Sequence, residues 1–181
     1  MKPRKRKCKH CGDQYQPFNS MQKACSVPCA AALGKAAKER KDRQRTAEAK
    51  QRLKSRSDWL REAQAAFNKW VRLRDSALPC ISCGRHHKGQ YHAGHYRTVG
   101  ANPELRFEPL NCHKQCAPCN NHKSGDIVNY RINLVQRIGQ DLVEWLEGPH
   151  DPRKYTIDEI KEIKAEYSQK ARELEKQLKN S

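Results

Sequence analysis

The sequence predicts a mainly helical protein in which small β elements are held by two clusters of four cysteines. Three observations lead to this prediction. The cysteines fall into closely spaced pairs, long stretches carry helical patterns, and the composition leaves little material for a large core. Of the 181 residues only 36% are hydrophobic, and Phe and Trp occur three times each. We therefore expect one or two small domains.

The first cysteine cluster lies near the N-terminus. Two short pairs close in sequence suit a tetrahedral zinc ion, because each pair presents two sulfurs to it. Gly12 follows the second cysteine and Ser26 the third, so the segment resembles the FCS-like zinc fingers. About 30 residues bury too little surface to fold without a metal. We expect a zinc finger over residues 1–33, with ligands Cys8, Cys11, Cys25 and Cys29.

The second cluster consists of two CxxC pairs that bracket 32 residues. This spacing is a strong signal for zinc. Four thiolates leave no open position on the ion, so the zinc is structural and any chemistry must use other residues. Cys112 remains outside both clusters, and we expect it to be buried as a small apolar residue. The predicted ligands are Cys80, Cys83, Cys116 and Cys119.

Charge and hydropathy restrict the partners. The net charge is +17, and residues 1–56 hold 17 Lys/Arg against four Asp/Glu. A chain this basic is expected to bind nucleic acid, although a merely solvated basic surface is the alternative. No apolar run is long enough for a membrane span, and no signal-peptide core follows the N-terminus. We therefore expect a reducing cytoplasm, where the nine cysteines stay free of disulfides.

The segment between the second pairs has an informative order. Residues 90–97 are predicted as a strand carrying His92 and His95, and residues 105–107 as a second strand. A helix should begin near Asn120. Strand, loop, strand and helix, with a zinc knuckle at each end, is the layout of a ββα-metal (HNH-type) nuclease.

The side chains of this segment suit phosphodiester hydrolysis, which needs a base for water and a cation for the phosphate. His95, with Gly94 leaving space beside it, is the candidate base because of its near-neutral pKa. Asn120 can offer an amide oxygen to Mg²⁺ or Mn²⁺. His92 reaches the same side of the strand only if a bulge intervenes at residues 93–94.

A family resemblance rests on the same residues. The segment "HAGHYRT…LRFEPLNCHKQCAPCNNHKSG" resembles the NinG (Rap) family of lambdoid phage recombination endonucleases, whose pattern is close to "DAGHYRT…LRF…N.HKQC..CN.HKSG". The resemblance covers most of the chain, and it extends distantly to phage endonuclease VII, a Holliday-junction resolvase. It implies a phage-encoded enzyme in the cytoplasm of the bacterial host that cuts Holliday junctions and D-loops.

The family pattern also assigns further residues and exposes one departure. Asn111 is its central Asn, which we expect to hold the loop by backbone hydrogen bonds and so orient His95. Where the pattern has Asp, this chain has His92, a poorer ligand for Mg²⁺. Either His92 binds metal through nitrogen, or the protein prefers Mn²⁺, or this copy is weakened. Possible phosphate contacts are Arg97, His122 and Lys123.

Helices account for the rest of the chain. Residues 34–77 are predicted as a basic helical linker, one long helix or two nearly continuous ones, with an apolar stripe from Trp59 onwards. Its polar half follows DNA phosphates or is a solvated linker. The nuclease domain spans residues 78–150. Residues 151–181 form a last helix, which begins at a capping box of Thr156 and Glu159.

The last helix carries apolar residues at nearly coiled-coil spacing, which can pack on the same chain or pair with a second copy. A two-fold homodimer would suit a four-way junction. The residues of this seam are Ile160, Ile163, Tyr167, Ala171, Leu174 and Leu178.

The full prediction is a mainly α fold with small zinc-bound β elements. It comprises an N-terminal zinc finger, a long basic helix, a zinc-framed ββα-metal (HNH-like) nuclease core and C-terminal helices. Two alternatives stay open: a non-catalytic zinc-finger protein that binds DNA or RNA, and an HNH nuclease that acts on ordinary duplex DNA. The pairing of His95 with Asn120 favours an enzyme, since a binding module has no need for it.

Overall fold

A computed structural model describes residues 4–180 of the chain. The chain separates into two compact units, the first ending at Lys54 and the second beginning at Ser55. Over the described residues the fold is mainly helical, with two small two-stranded sheets and two four-cysteine clusters. The predicted fold class is confirmed in these respects.

The first unit consists of a small cysteine-held hairpin and one long helix. Strand β1 (Arg6–Lys7) pairs antiparallel with β2 (Gln14–Tyr15). Helix α1 (Val27–Arg52) follows, and the Ser26 side chain caps it by accepting from the Cys29 backbone N–H. The helix thus begins seven residues earlier than predicted, because its first turn contains the fourth cysteine of the finger.

The second unit opens with helix α2 (Arg56–Arg74), which starts at a capping box between Ser55 and Asp58. Two helices rather than one therefore span the predicted linker. The apolar stripe of α2 is packed as a core, since Ala63, Phe67 and Val71 are fully buried.

The C-terminal helix α5 (Ile157–Lys179) begins at the predicted capping box of Thr156 and Glu159. Helix α5 packs along α2, and the Phe67 ring meets the Tyr167 ring edge-on at a centroid distance of 4.8 Å. Ion pairs flank this contact, with Lys164 Nζ 2.8 Å from Glu62 Oε2.

The seam on α5 is thus used within the chain. Ile160, Tyr167 and Ala171 are buried, and Ile163 packs against the same core. Burial against α2 satisfies the apolar stripe, so the seam itself no longer supports pairing with a second copy. The homodimer stays a prediction that rests on the symmetry of the substrate alone.

The second sheet differs from its prediction. Strand β3 (Tyr91–His95) pairs antiparallel with β4 (Cys112–Cys116), and His95 lies opposite Cys112. The strand predicted at residues 105–107 was wrong, because 3₁₀ turns at Pro103–Leu105 and Pro109–Asn111 occupy that region. Proline cannot donate a ladder hydrogen bond and readily begins such turns.

The segment after β4 is a short π-helical turn at Pro118–His122, followed by helices α3 (Ile127–Ile138) and α4 (Gln140–Glu147). The helix predicted to begin near residue 120 is therefore this turn, and a continuous helix starts only at Ile127. Gly139, with φ of 89°, separates α3 from α4. Among the described residues, no helix is both long and apolar enough to cross a membrane.

We predict that Ile160→Ala lowers the free energy of unfolding by about 2–5 kcal/mol, because it removes a fully buried side chain from the α2–α5 core. Leu178→Ala on the same helix is the matched control, since Leu178 is 48% exposed. Its effect should stay within about 0.5 kcal/mol. Urea unfolding followed by circular dichroism measures both, and equal effects would contradict the packing of α5 on α2.

Candidate metal centres and active site

The first cysteine cluster has the geometry of a tetrahedral metal site. Its four Sγ atoms lie within 4.8 Å of one another, with Cys25 Sγ 3.5 Å from Cys11 Sγ and 3.6 Å from Cys29 Sγ. Zinc–sulfur bonds of about 2.3 Å place two ligands of a tetrahedron about 3.8 Å apart. These spacings fit a zinc ion held by Cys8, Cys11, Cys25 and Cys29.

Backbone groups favour the thiolate form that zinc requires. The Cys11 backbone N–H donates to the sulfur of Cys8 and is the main reason why the pKa of that thiol falls to about 6. The knuckle turns at Gly12, whose φ is 82° and whose N–H donates to the Cys8 carbonyl at 3.0 Å. A side chain would be strained at that φ, which accounts for the glycine.

The second cluster joins three parts of the second unit. One pair lies in the turn before β3, Cys116 ends β4, and Cys119 lies in the π-helical turn. Cys83 Sγ is 3.9 Å from Cys116 Sγ, and the Cys116 N–H donates to Cys80 Sγ at 3.3 Å. The four sulfurs again lie within 4.8 Å of one another, as a structural zinc ion requires.

Two other side chains clarify this cluster. Cys112 is fully buried in the α2–α5 core and belongs to neither cluster, as predicted. His87 is not among the predicted ligands, yet its Nε2 lies 3.1 Å from Cys83 Sγ. The short spacing of four residues between them was the available signal. An imidazole N–H at this distance would donate to a zinc-bound thiolate and orient it.

His95 lies at the end of β3 with its ring half-buried. The ring stacks near Phe67 at a centroid distance of 6.1 Å, and Nε2 lies 3.0 Å from the Arg106 carbonyl oxygen. A carbonyl can only accept, so Nε2 carries the hydrogen and Nδ1 keeps the free lone pair. Burial lowers the pKa of His95, and this outweighs the opposing effect of the Arg106 hydrogen bond.

His92 faces the opposite side of the sheet. The pairing of β3 with β4 runs from Tyr91 to His95 without a bulge, and His92 lies opposite Gln115. Because strand side chains alternate, His92 and His95 project to different faces. The structure therefore does not bring them together as a joint site. The His92 Nε2 atom is buried and has no hydrogen-bond partner among the described residues.

Gly94 serves a different purpose from the one predicted. It lies under the side chain of Gln115, and a Cβ atom there would overlap the Gln115 Oε1 atom. Gln115 cannot easily move away, since its amide nitrogen donates to Ser82 Oγ at 2.6 Å and to the Gly125 carbonyl at 2.5 Å. Gly94 thus permits this buried packing rather than leaving space beside His95.

Asn111 holds the loop that follows β3. Its Oδ1 accepts from the Arg97 backbone N–H at 2.7 Å, and its Nδ2 donates to the carbonyls of Arg97 and Leu105 at 3.0 and 3.1 Å. The side chain is fully buried, so it cannot reach a substrate. These hydrogen bonds fix the loop between Arg97 and Leu105, and the predicted role of Asn111 in orienting His95 stays a prediction.

Asn120 is half-exposed in the π-helical turn, directly after the last cysteine. Its amide nitrogen donates to Asn121 Oδ1 at 2.9 Å, which leaves the amide oxygen as the atom for a cation. His122 and Lys123 are exposed nearby in sequence, while Arg97 is half-buried and donates to Asn102 Oδ1 at 3.2 Å. Among the described residues, only the two cysteine clusters bring three or more His, Cys, Asp or Glu ligands together.

Sequence reasoning missed a buried ionic group behind β4. The Asp75 carboxylate accepts from Arg74 at 2.7 and 2.9 Å and from the Lys114 backbone N–H at 2.9 Å. Burial raises the pKa of Asp75, but these donors prevail and keep it below its usual value. Arg74 also donates to the carbonyls of Pro109 and Cys112. Charged residues at a helix end look solvated in a sequence, so no local signal revealed this group.

We predict that the protein binds two zinc ions per chain and that Cys11→Ser and Cys83→Ser each leave one, because each removes a ligand from a different cluster. Cys112→Ala is the control and should retain two, since Cys112 lies outside both clusters. Metal analysis of the purified proteins measures this. Retention of both ions after Cys83→Ser would contradict the second site.

Comparison with known proteins identifies the family of this chain. No solved structure gives a significant match. The protein ninG of Escherichia phage lambda is 44% identical, over 96% of this chain and 95% of its own. Protein ninG of Salmonella phage P22 is 42% identical over the same shares. The family described as "Bacteriophage Lambda NinG protein" matches residues 1–177, and the chain belongs to that family.

Proposed function

We propose that the protein is a metal-dependent DNA endonuclease that cuts branched recombination intermediates, namely Holliday junctions and D-loops. The observation that carries the proposal is the environment of His95. Its ring is oriented by the Arg106 carbonyl on one nitrogen and leaves the other as a base. A protein that only binds nucleic acid gains nothing from a histidine held in one tautomer.

His95 would act by taking a proton from the attacking water through Nδ1. The Cys112 thiol lies 3.7 Å from Nδ1, and as a weak S–H donor it fits an Nδ1 that accepts a proton rather than carries one. Because burial lowers the pKa of His95, the ring is neutral and able to accept at pH 7. Phe67 and the loop fixed by Asn111 hold the ring in place.

A catalytic divalent ion fits some of the residues present. Its chemistry would be to neutralise charge on the phosphate and the leaving 3′-oxygen. Asn120 supplies an amide oxygen for it, and His92 has a buried Nε2 without a partner among the described residues. An amide and an imidazole, with no carboxylate, suit Mn²⁺ better than Mg²⁺. Since His92 and His95 face opposite sides, Asn120 is the first candidate.

The substrate class follows from charge and from the family. Within the first unit, residues 4–54 contain 15 Lys/Arg and four Asp/Glu, which favours binding to phosphates regardless of base sequence. Helix α1, which is 26 residues long, belongs to this basic unit. Arg97, His122 and Lys123 are further proposed phosphate contacts. The preference for branched DNA rests on the family resemblance, and the proposed homodimer rests on the symmetry of a junction.

We predict that His95→Ala lowers the cleavage rate by about 10²- to 10⁴-fold, the usual loss when a general base is removed. DNA affinity should stay unchanged. His86→Ala is the control, because His86 is an exposed histidine outside β3. The assay uses a labelled four-way junction, a D-loop and linear duplex, each with Mg²⁺ or Mn²⁺. His95→Gln preserves side-chain volume, and zinc content verifies folding of both variants.

The same experiment has a pH signature. Because burial lowers the pKa of His95 below its ordinary value of 6.5, the neutral base persists to more acidic pH. The acid limb of the rate profile should therefore have its midpoint below 6.5.

An absence of cutting of all three substrates with both metals would contradict the proposed endonuclease activity. Equal cutting of duplex and junction would favour a nuclease for ordinary duplex instead.

We predict that His92→Asp shifts the metal preference of cleavage from Mn²⁺ towards Mg²⁺, because a carboxylate is the harder ligand. The ratio of rates in the two metals is measured at equal protein concentration. His86→Asp is a comparison at an exposed histidine outside β3 and should leave that ratio unchanged. An unchanged ratio in His92→Asp would show that His92 is not a ligand.

A further inference from the structure

The first unit exposes a group of apolar side chains around an open groove. Phe18 is 96% exposed, Met21 82% and Val27 83%. Together with Ala30 and Leu33 of helix α1, these side chains line a groove of about 680 Å³. Apolar side chains clustered on a small polar domain commonly mark an interaction surface.

The segment carrying Phe18 is held firmly by hydrogen bonds. Asn19 Oδ1 accepts from the backbone N–H groups of Met21 and Gln22 at 2.9 and 3.0 Å. Gln22 Oε1 in turn accepts from the Phe18 N–H at 2.7 Å. The Tyr15 hydroxyl donates to the Gln22 carbonyl at 2.6 Å. The backbone thus presents the ring outward at a fixed position beside the zinc-bound cysteines.

Positive charge lies beside the groove. Lys23 lines it directly, and its carbonyl accepts from the Lys9 N–H at 3.0 Å. Arg6 donates from Nη1 to the Ser20 carbonyl at 2.6 Å, so its guanidinium lies beside the same loop. Residues 14–38 contain no Asp or Glu. The groove therefore has an apolar floor and a positive rim that consists of Lys23 in its lining and Arg6 beside the adjoining loop.

This combination of apolar surface and positive charge favours a nucleotide over a second copy of the chain as the occupant of the groove. A second copy of the chain would bring a groove with the same positive rim, and the like charges would repel. An unpaired nucleotide instead offers a flat base to the aromatic ring and a phosphate to the cations. Aromatic stacking platforms within basic surfaces are the general solution for binding single-stranded nucleic acid.

We propose that this groove binds an unpaired nucleotide of branched DNA, with a base stacked on Phe18 and adjacent phosphates on Lys23 and Arg6. The inference rests on the proposed function for the identity of its ligand as DNA. It assigns to the first unit the recognition of unpaired bases, which the displaced strand of a D-loop exposes and intact duplex does not.

The test compares two labelled DNAs of equal length, one an intact duplex and one with a central gap of four unpaired nucleotides. Binding of the full-length, zinc-loaded protein is followed by fluorescence anisotropy without added divalent cation, so that no cleavage occurs. The wild type should prefer the gapped DNA. Phe18→Ala should lose about tenfold in affinity for it, the usual loss for one stacked base, with no change for duplex.

Four variants make the result specific. Phe18→Tyr should restore binding, because it keeps the ring, whereas Phe18→Leu should not. Leu53→Ala removes an apolar side chain that is 84% exposed in the same unit and should have no effect. Lys23→Gln should weaken binding to both DNAs and reduce the salt dependence by about one phosphate contact. A 2-aminopurine in the gap reports stacking directly, and its fluorescence change should vanish in Phe18→Ala.

Two outcomes overturn the inference. One is wild-type affinity of Phe18→Ala for gapped DNA. The other is a change in oligomeric state in Phe18→Ala, measured by light scattering, which would assign the groove to a second copy. The proposed function is tested separately by cleavage with added metal. If Phe18 is required for binding to gapped DNA but no substrate is cut, the enzyme hypothesis fails and the inference about the groove stands. If junctions are cut normally and Phe18 has no role in binding, the inference about the groove fails and the proposed function stands.

Discussion

The register of a strand pair five residues long determines which faces of the second sheet His92 and His95 occupy. Two strands alone are barely stable in water, and a slip by one residue would reverse the faces of His92 and His95. The second cysteine cluster prevents such a slip. The cluster joins the end of β4, at Cys116, to the turn that precedes β3 and to the π-helical turn that follows β4. Asn111 fastens the opposite end.

The hydrophobic core and the candidate base are in direct contact. Phe67 of α2 packs edge-on against Tyr167 of α5 on one side and stacks near His95 on the other. Helix α5 therefore supports the imidazole through a single intervening ring, although it lies more than 60 residues away in sequence. The packing of α5 on α2 therefore contributes to the position of the imidazole.

Patterns with a local cause could be predicted from the sequence, and those with a tertiary cause could not. Cysteine spacing gave both clusters, and the capping box at Thr156 gave the start of α5. The strand predicted at residues 105–107 failed because Leu105 and Phe107 are buried in separate cores from irregular turns. The ionic group of Asp75 and Arg74 also escaped prediction, since its partners lie 35 or more residues away.

Helix α1 has no buried residue over its 26 positions. Tertiary packing, which supplies most of the stability of protein helices, is therefore confined to its first two turns, where Cys29, Ala32 and Leu33 are half-buried. Its eight Lys/Arg against three Asp/Glu also repel one another along the helix. Salt relieves this repulsion in the free protein while it weakens attraction to DNA. The two effects oppose each other, so the salt dependence of binding will understate the number of phosphates that the protein contacts.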